Sequence, residues 1–113
     1  MSDRGQAAEA IAAEFLSGQG LAILHRNFRC RFGEIDLIAR DGDAVVFVEV
    51  RMRGRADFGG AAESITSRKR ARLLKAAGFY LSAQRRTPRC RFDAVLVSGA
   101  EGRIEWIRDA FGE

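Results

Sequence analysis

The chain has 113 residues, 47% of them hydrophobic, which fits one domain over residues 1–113 built on a single core. Lys and Arg number 19 against 15 Asp and Glu, a net charge of +4 that leans toward a polyanionic partner. No apolar run exceeds five residues, which excludes a membrane-spanning helix of ~20. The first twenty residues lack a basic start followed by an apolar stretch, so the expectation is a cytoplasmic protein with no membrane partner.

The first segment reads as a helix. Ser2 or Asp3 can cap it, and Ala7, Ile11 and Phe15, with Ala8, Ala12 and Leu16, form an apolar stripe. Gly18 and Gly20 end it. Leu21 to Phe28, Glu34 to Arg40 and Ala44 to Met52 read as three strands, the last two joined by the hairpin signal Asp41-Gly42-Asp43. Residues 53–66 carry three glycines and no period, which marks a long loop. A second helix is expected from about Ser67 to Gln84, with Ala71, Leu74, Ala77, Gly78 and Leu81 buried. After the turn at Pro88, Phe92 to Val97 and Arg103 to Arg108 read as strands. The order α-β-β-β-α-β-β, with a helix crossing between strands, predicts an α/β fold with a central mixed sheet flanked by helices.

Several chemistries lack their parts. Cys30 and Cys90 are two cysteines, too few for a disulfide framework. With His25 as the one histidine, neither a zinc site nor a His-based triad can be assembled. No glycine fingerprint of a phosphate-binding loop is present.

The acidic residues of the predicted hairpin are more telling. Glu34 and Asp36 lie on one arm, Glu49 and Arg51 on the other, each pair on one face of its strand. A two-residue loop at Asp41-Gly42 sets Glu34 opposite Glu49 with Asp36 diagonal; a loop at Gly42-Asp43 sets Asp36 opposite Glu49. Either brings Asp36, Glu49 and Arg51 onto one face within ~5–8 Å, whereas a three-residue loop separates them. Facing carboxylates need a compensating cation, supplied by a side chain such as Arg51 or by a divalent metal. A solvated strand face of ordinary charges is the plainer alternative.

The runs Arg26-Asn27-Phe28-Arg29, Gly33-Glu34-Ile35-Asp36-Leu37-Ile38-Ala39 and Val46-Phe47-Val48-Glu49-Val50-Arg51 resemble the YraN family of uncharacterised bacterial proteins. Gly5 with Glu9, Ile65 with Lys69, Ala76 to Leu81, Arg91-Phe92-Asp93 and Asp109-Ala110-Phe111 fit as well, so the likeness covers nearly the whole chain. That family is similar to archaeal Holliday-junction resolvases and the restriction-endonuclease-like superfamily. The resemblance implies a PD-(D/E)xK nuclease site, in which Asp36 and Glu49 ligate Mg²⁺ or Mn²⁺, the backbone carbonyl of Val50 adds a ligand and Glu9 assists. It also implies a two-fold pair of chains. Arg51 departs from the pattern, which has Lys there. A guanidinium binds phosphate and stabilises charge but cannot act as a base. Water activation then falls to the metal or to a Lys reaching in from elsewhere, Lys69 or Lys75 being the two available.

Charge is unevenly spread. Residues 51–91 hold twelve Lys and Arg against Asp57 and Glu63. Arg68, Lys69, Arg70 and Arg72 crowd the first turns of the second helix, and Arg53 and Arg55 stand in the loop before it. Beside an acidic site, such a patch suits a phosphodiester backbone. Phe58, between those arginines and Gly59-Gly60, either stacks on a base or anchors the loop. The expected function is a metal-dependent nuclease-like protein binding DNA rather than RNA, branched DNA included. Two alternatives are a nucleic-acid-binding module of the same fold without cleavage, and a protein-interaction component whose basic face meets acidic partners.

Overall fold

The alternation and turn residues of the sequence produce seven elements, in the computed structural model α1 (Asp3–Gly18), β1 (Ala22–Cys30), β2 (Gly33–Asp41), β3 (Ala44–Arg53), α2 (Ser67–Ser82), β4 (Arg89–Ser98) and β5 (Arg103–Phe111). The structure describes residues 3–53, 67–85, 88–98 and 103–111. Ser2, Arg55, Phe58, Gly59 and Gly60 lie outside those residues.

The strands form one sheet in the order β1-β2-β3-β4-β5. β3 and β4 run parallel, joined by the crossover that contains α2, and the other neighbours are antiparallel. The expected mixed α/β sheet is therefore present. α1 and α2 cover opposite faces. On the α1 face, Ala8, Ala12, Ala13 and Leu16 pack on Leu37, Ala39, Val46, Val48, Val95 and Val97. On the α2 face, Leu73, Ala76 and Ala77 pack on Ile35, Ile38, Val45, Phe47, Phe92 and Leu96.

Both helices sit rotated from their expected faces. In α1 the expected Ala8, Ala12 and Leu16 are buried and Phe15 is half-buried, while Ala7 is exposed and Ile11 is 37% exposed. The alanines let the helix axis approach the sheet closely, which a row carrying Ile11 does not. In α2 the expected Ala77 is buried and Leu74 and Leu81 are half-buried against the core, but Ala71 and Gly78 are exposed, and the buried stripe runs through Leu73, Ala76 and Ala77 toward Tyr80. The rotation brings Lys69, one turn before Leu73, to the sheet side.

The β2–β3 hairpin closes at Asp41↔Ala44 across Gly42-Asp43. Gly42, at φ 62°, holds the first central position, where a type II′ turn needs glycine. This selects the second of the two odd registers. Pairing runs from there to Leu37↔Val48 and stops. Beyond it, β2 stays paired with β1 alone. Among the described residues no helix is long and apolar enough to cross a membrane.

Candidate acidic site and basic helix face

Asp36 stands where β2 leaves β3. Its side chain takes over the ladder there: the Val50 N–H donates to Asp36 Oδ2 at 2.8 Å. Continued by one residue, the hairpin register sets Asp36 against Glu49. The regular alternation of β2 slips at this point, since Ile35 joins the α2-side core and Leu37 the α1-side core. The same slip occurs across the ladder in β1, where His25 and Phe28, three residues apart, both meet Tyr80 on α2. Between them Asn27 has φ 54°, a left-handed conformation that Asn tolerates better than most residues. It falls between the pairs Arg26↔Leu37 and Phe28↔Ile35, opposite Asp36.

The slip lets groups from both faces of the sheet act on one carboxyl. Asp36 is pushed up to about 7, first by burial, then by the charge of Glu49 and, more weakly, by Glu9; the Val50 N–H and Lys69 oppose this. Glu9, from α1, is 5% exposed. Burial raises its pKa, and Glu34 and Glu49 add to the rise, while Arg26 and a hydrogen bond from the Asn27 side chain lower it. Glu9 Oε1 and Asn27 Oδ1 are buried acceptors without a hydrogen-bond donor. Glu49 is 3% exposed, and its Oε1 lies 2.5 Å from Lys69 Nζ.

The sequence-derived residues thus sort into groups. Glu9, Asp36 and Glu49 come within electrostatic reach of one another. Val50 takes part through its N–H. Arg51, half-buried, follows Glu49 by two residues on β3 and shares its side of the strand. Glu49 holds the ammonium of Lys69, from the helix. Arg68 and Arg72 are exposed on α2 and Arg70 is half-buried. Arg53 is the last residue of β3, and its side chain lies outside the description.

Sequence reasoning missed Asn27. The usable signal was an Asn inside a predicted strand, directly across from the candidate Asp. Asp93 was also passed over as a buried acid. It is fully buried in β4 and accepts from Arg91, Trp106 Nε1 and the Asp109 N–H.

The donor set is all oxygen. Clustered carboxylates beside two unpartnered acceptor oxygens, Glu9 Oε1 and Asn27 Oδ1, suit a hard divalent cation, which Mg²⁺ satisfies with one or two carboxylates, waters and a substrate phosphate. Among the described residues no three His, Cys, Asp or Glu side chains form a ready-made metal cage. Asp36 and Glu49 fit the smaller carboxylate set. A cavity of about 350 Å³ is lined by Gly33, Glu34, Arg68, Lys69, Arg72 and Leu73. Lys69 belongs to both the acidic cluster and the cavity wall.

Comparison with known proteins gives a consistent picture. Residues 8–97 match the family described as Uncharacterised protein family UPF0102. A UPF0102 protein of Nitrosospira multiformis is 58% identical over 109 residues, covering 96% of this chain and 92% of its own length. A UPF0102 protein of Nitrosomonas europaea is 57% identical over 112 residues, 98% of this chain and 95% of its own. One of Pseudomonas putida is 50% identical over 112 residues, 95% and 91% respectively.

Proposed function

The chain belongs to the uncharacterised protein family UPF0102, and from that premise we propose that it is a metal-dependent, nuclease-like protein of the cytoplasm. It binds DNA, branched DNA included, and hydrolyses phosphodiester bonds, working as a two-fold pair of chains. The observation that carries this reading is the Asp36 carboxyl. It is docked on the Val50 N–H at the parting of β2 and β3, and its charged form is disfavoured by burial, Glu49 and Glu9. A structural acid would be surrounded by donors; this one is surrounded by other acids.

Asp36 and Glu49 would hold Mg²⁺ or Mn²⁺, with the Val50 carbonyl and Glu9 as the further groups that the family resemblance suggests. When bound, the ion lowers the pKa of its water and neutralises charge developing on the phosphate. Lys69 stands where its ammonium can leave Glu49 and donate to a phosphate oxygen, since it borders both the acid and the cavity. It supplies the lysine that the sequence lacks at position 51. Arg51 binds phosphate through its planar fork and stabilises negative charge without exchanging a proton. Arg68, Arg70 and Arg72, with Arg53 and Arg55, bind the sugar-phosphate chain.

The test is a nuclease panel over branched and linear DNA with Mg²⁺ or Mn²⁺. Cleavage that stops in EDTA and in Asp36→Asn, with DNA binding retained, is the expected result; Arg51→Lys should cleave faster with metal affinity unchanged. One observation favours a second reading: Glu49 is already neutralised by Lys69, and position 51 is not lysine. In that reading the protein binds nucleic acid without cutting, and salt-dependent binding with no cleavage under either metal is its signature. Binding neither metal nor DNA defeats both.

A further inference from the structure

The rotation of α2 that carries Lys69 to the sheet also builds a second stripe beside it. Arg68, Arg72, Lys75 and Phe79 are spaced by four, three and four residues, so they line one side of the helix. All four are exposed, Phe79 at 45%. The stripe faces the β1–β2 turn: a Cβ built on Gly33 would lie 3.6 Å from the Cβ of Arg72, and the Phe32 and Phe79 rings are 6.1 Å apart. Phe79 is backed by Phe28 at 6.4 Å, and Arg31 covers Phe32 with its guanidinium 4.8 Å from the ring centroid.

The track therefore has two distinct ends. At one end is the cavity between Gly33 and Arg68, Lys69 and Arg72, whose wall residue Lys69 pairs with Glu49 of the acidic cluster. Glu34 is the acid in its wall and is itself paired with Arg29 at 3.2 Å. At the other end is an exposed aromatic ring supported from behind by other rings. The helix rise separates Arg68 from Phe79 by ~16 Å, several nucleotides of an extended strand.

We propose that this stripe is a track for a nucleic-acid strand with unpaired bases. Phosphates lie along Arg68, Arg72 and Lys75, and a base stacks on Phe79. The proposal rests on the nucleic-acid reading above and narrows its substrate class to strands that are single-stranded near the acidic centre. A duplex keeps its base faces covered and can use the cations but not the ring; an unpaired strand uses both. The pairing of cations with one exposed, backed aromatic is the charge and shape complement of such a strand rather than of a purely apolar partner.

The experiment measures binding of a labelled oligothymidine and of a duplex of equal length, both in EDTA. Phe79→Leu keeps an apolar side chain against Phe28 and Phe32 but removes the stacking face. It should weaken oligothymidine binding about tenfold and leave the duplex unchanged. Phe79→Ala should do the same, with folding of each variant verified by circular dichroism. Arg72→Ala should flatten the salt dependence of oligothymidine binding by about 0.7 in log–log slope. If both Phe79 variants bind the two ligands as the parent does, the track is wrong and the nucleic-acid reading stands. The track also fails if Phe79→Leu changes the oligomeric state while leaving oligothymidine affinity alone, since the ring then serves a protein contact. If the parent protein binds neither ligand, the underlying reading falls together with the track.

Discussion

Two carboxylates in the same sheet, on β2 and β4, are provided for in opposite ways. Asp93 is fully buried, yet both of its oxygens are saturated. Oδ1 accepts from Arg91 Nε at 3.0 Å and the Asp109 N–H at 2.9 Å, and Oδ2 from Trp106 Nε1 at 2.9 Å and Arg91 Nη2 at 3.2 Å. Arg91 reaches on to Asp41 at 3.0 Å, and Asp109 turns at φ 50° where the β4–β5 register shifts. This acid ties three elements together and has no capacity left for a ligand. Asp36 has the Val50 N–H on one oxygen and Glu49 and Glu9 as electrostatic neighbours. The same residue type is a structural tie in one place and a candidate ligand in the other; the difference lies in the number of donors against the number of like charges around it.

The largest effect should come from the saturated acid. Asp93→Ala leaves the Arg91 guanidinium, the Trp106 indole N–H and the Asp109 N–H without their acceptor, and chemical denaturation should show a loss of about 3–5 kcal/mol. A loss below that of an ordinary surface substitution would break the contrast.

Asp36 should behave in the reverse sense. Its folded-state pKa lies above the ordinary value of 3.8, at about 7, so between those limits the folded protein holds a proton that the unfolded chain has released. The metal-free protein is therefore most stable at the acid end of this window, loses stability as pH rises through it and levels off above. Asp36→Asn keeps an oxygen for the Val50 N–H and removes the charge. It should be more stable than the parent by roughly 2–4 kcal/mol above that window, with the slope between its limits gone. Denaturation in EDTA across pH checks both, and an unchanged slope in the variant would assign it to other groups.

Lys69→Met should destabilise the metal-free protein by about 1–3 kcal/mol, because Glu49 stays buried without that ammonium. Added Mg²⁺ should restore part of the loss, measurable as a larger rise in melting temperature for the variant than for the parent. The smallest effect is expected at Arg29–Glu34, whose side chains are 62% and 47% exposed. Arg29→Ala should change stability by less than about 1 kcal/mol, and added salt should shrink even that.

Much of the architecture follows from local pattern. The apolar run through residues 44–48, the glycine at position 42 and the apolar spacing of the helices were enough to place all seven elements and the mixed sheet. Asp36 and Glu49 were also legible as a pair, because any two-residue turn keeps them on one face. Lys69 was legible only as one of two lysines that could reach the site, beside Arg51. The expected buried face of α2, Ala71, Leu74, Ala77, Gly78 and Leu81, turns Lys69 away from the sheet; the face used, Leu73, Ala76 and Ala77, shares only Ala77 with it and turns the lysine inward.

By itself, then, the sequence determined the elements, their order and the parity of the hairpin, since each depends on side-chain period and turn chemistry within a few neighbouring residues. Tertiary structure decided between two registers that differ by two residues. Because strand side chains repeat every two residues, both registers bury the same set, and the folded turn distinguishes them by seating Gly42 at its first central position. It also decided the rotation of α2, whose apolar residues surround more than one possible face, and the slip at Asn27 and Asp36. That slip depends on two strands giving way together at positions nine residues apart in the chain, and it is what brings an acid from α1 and a lysine from α2 to bear on a single carboxyl.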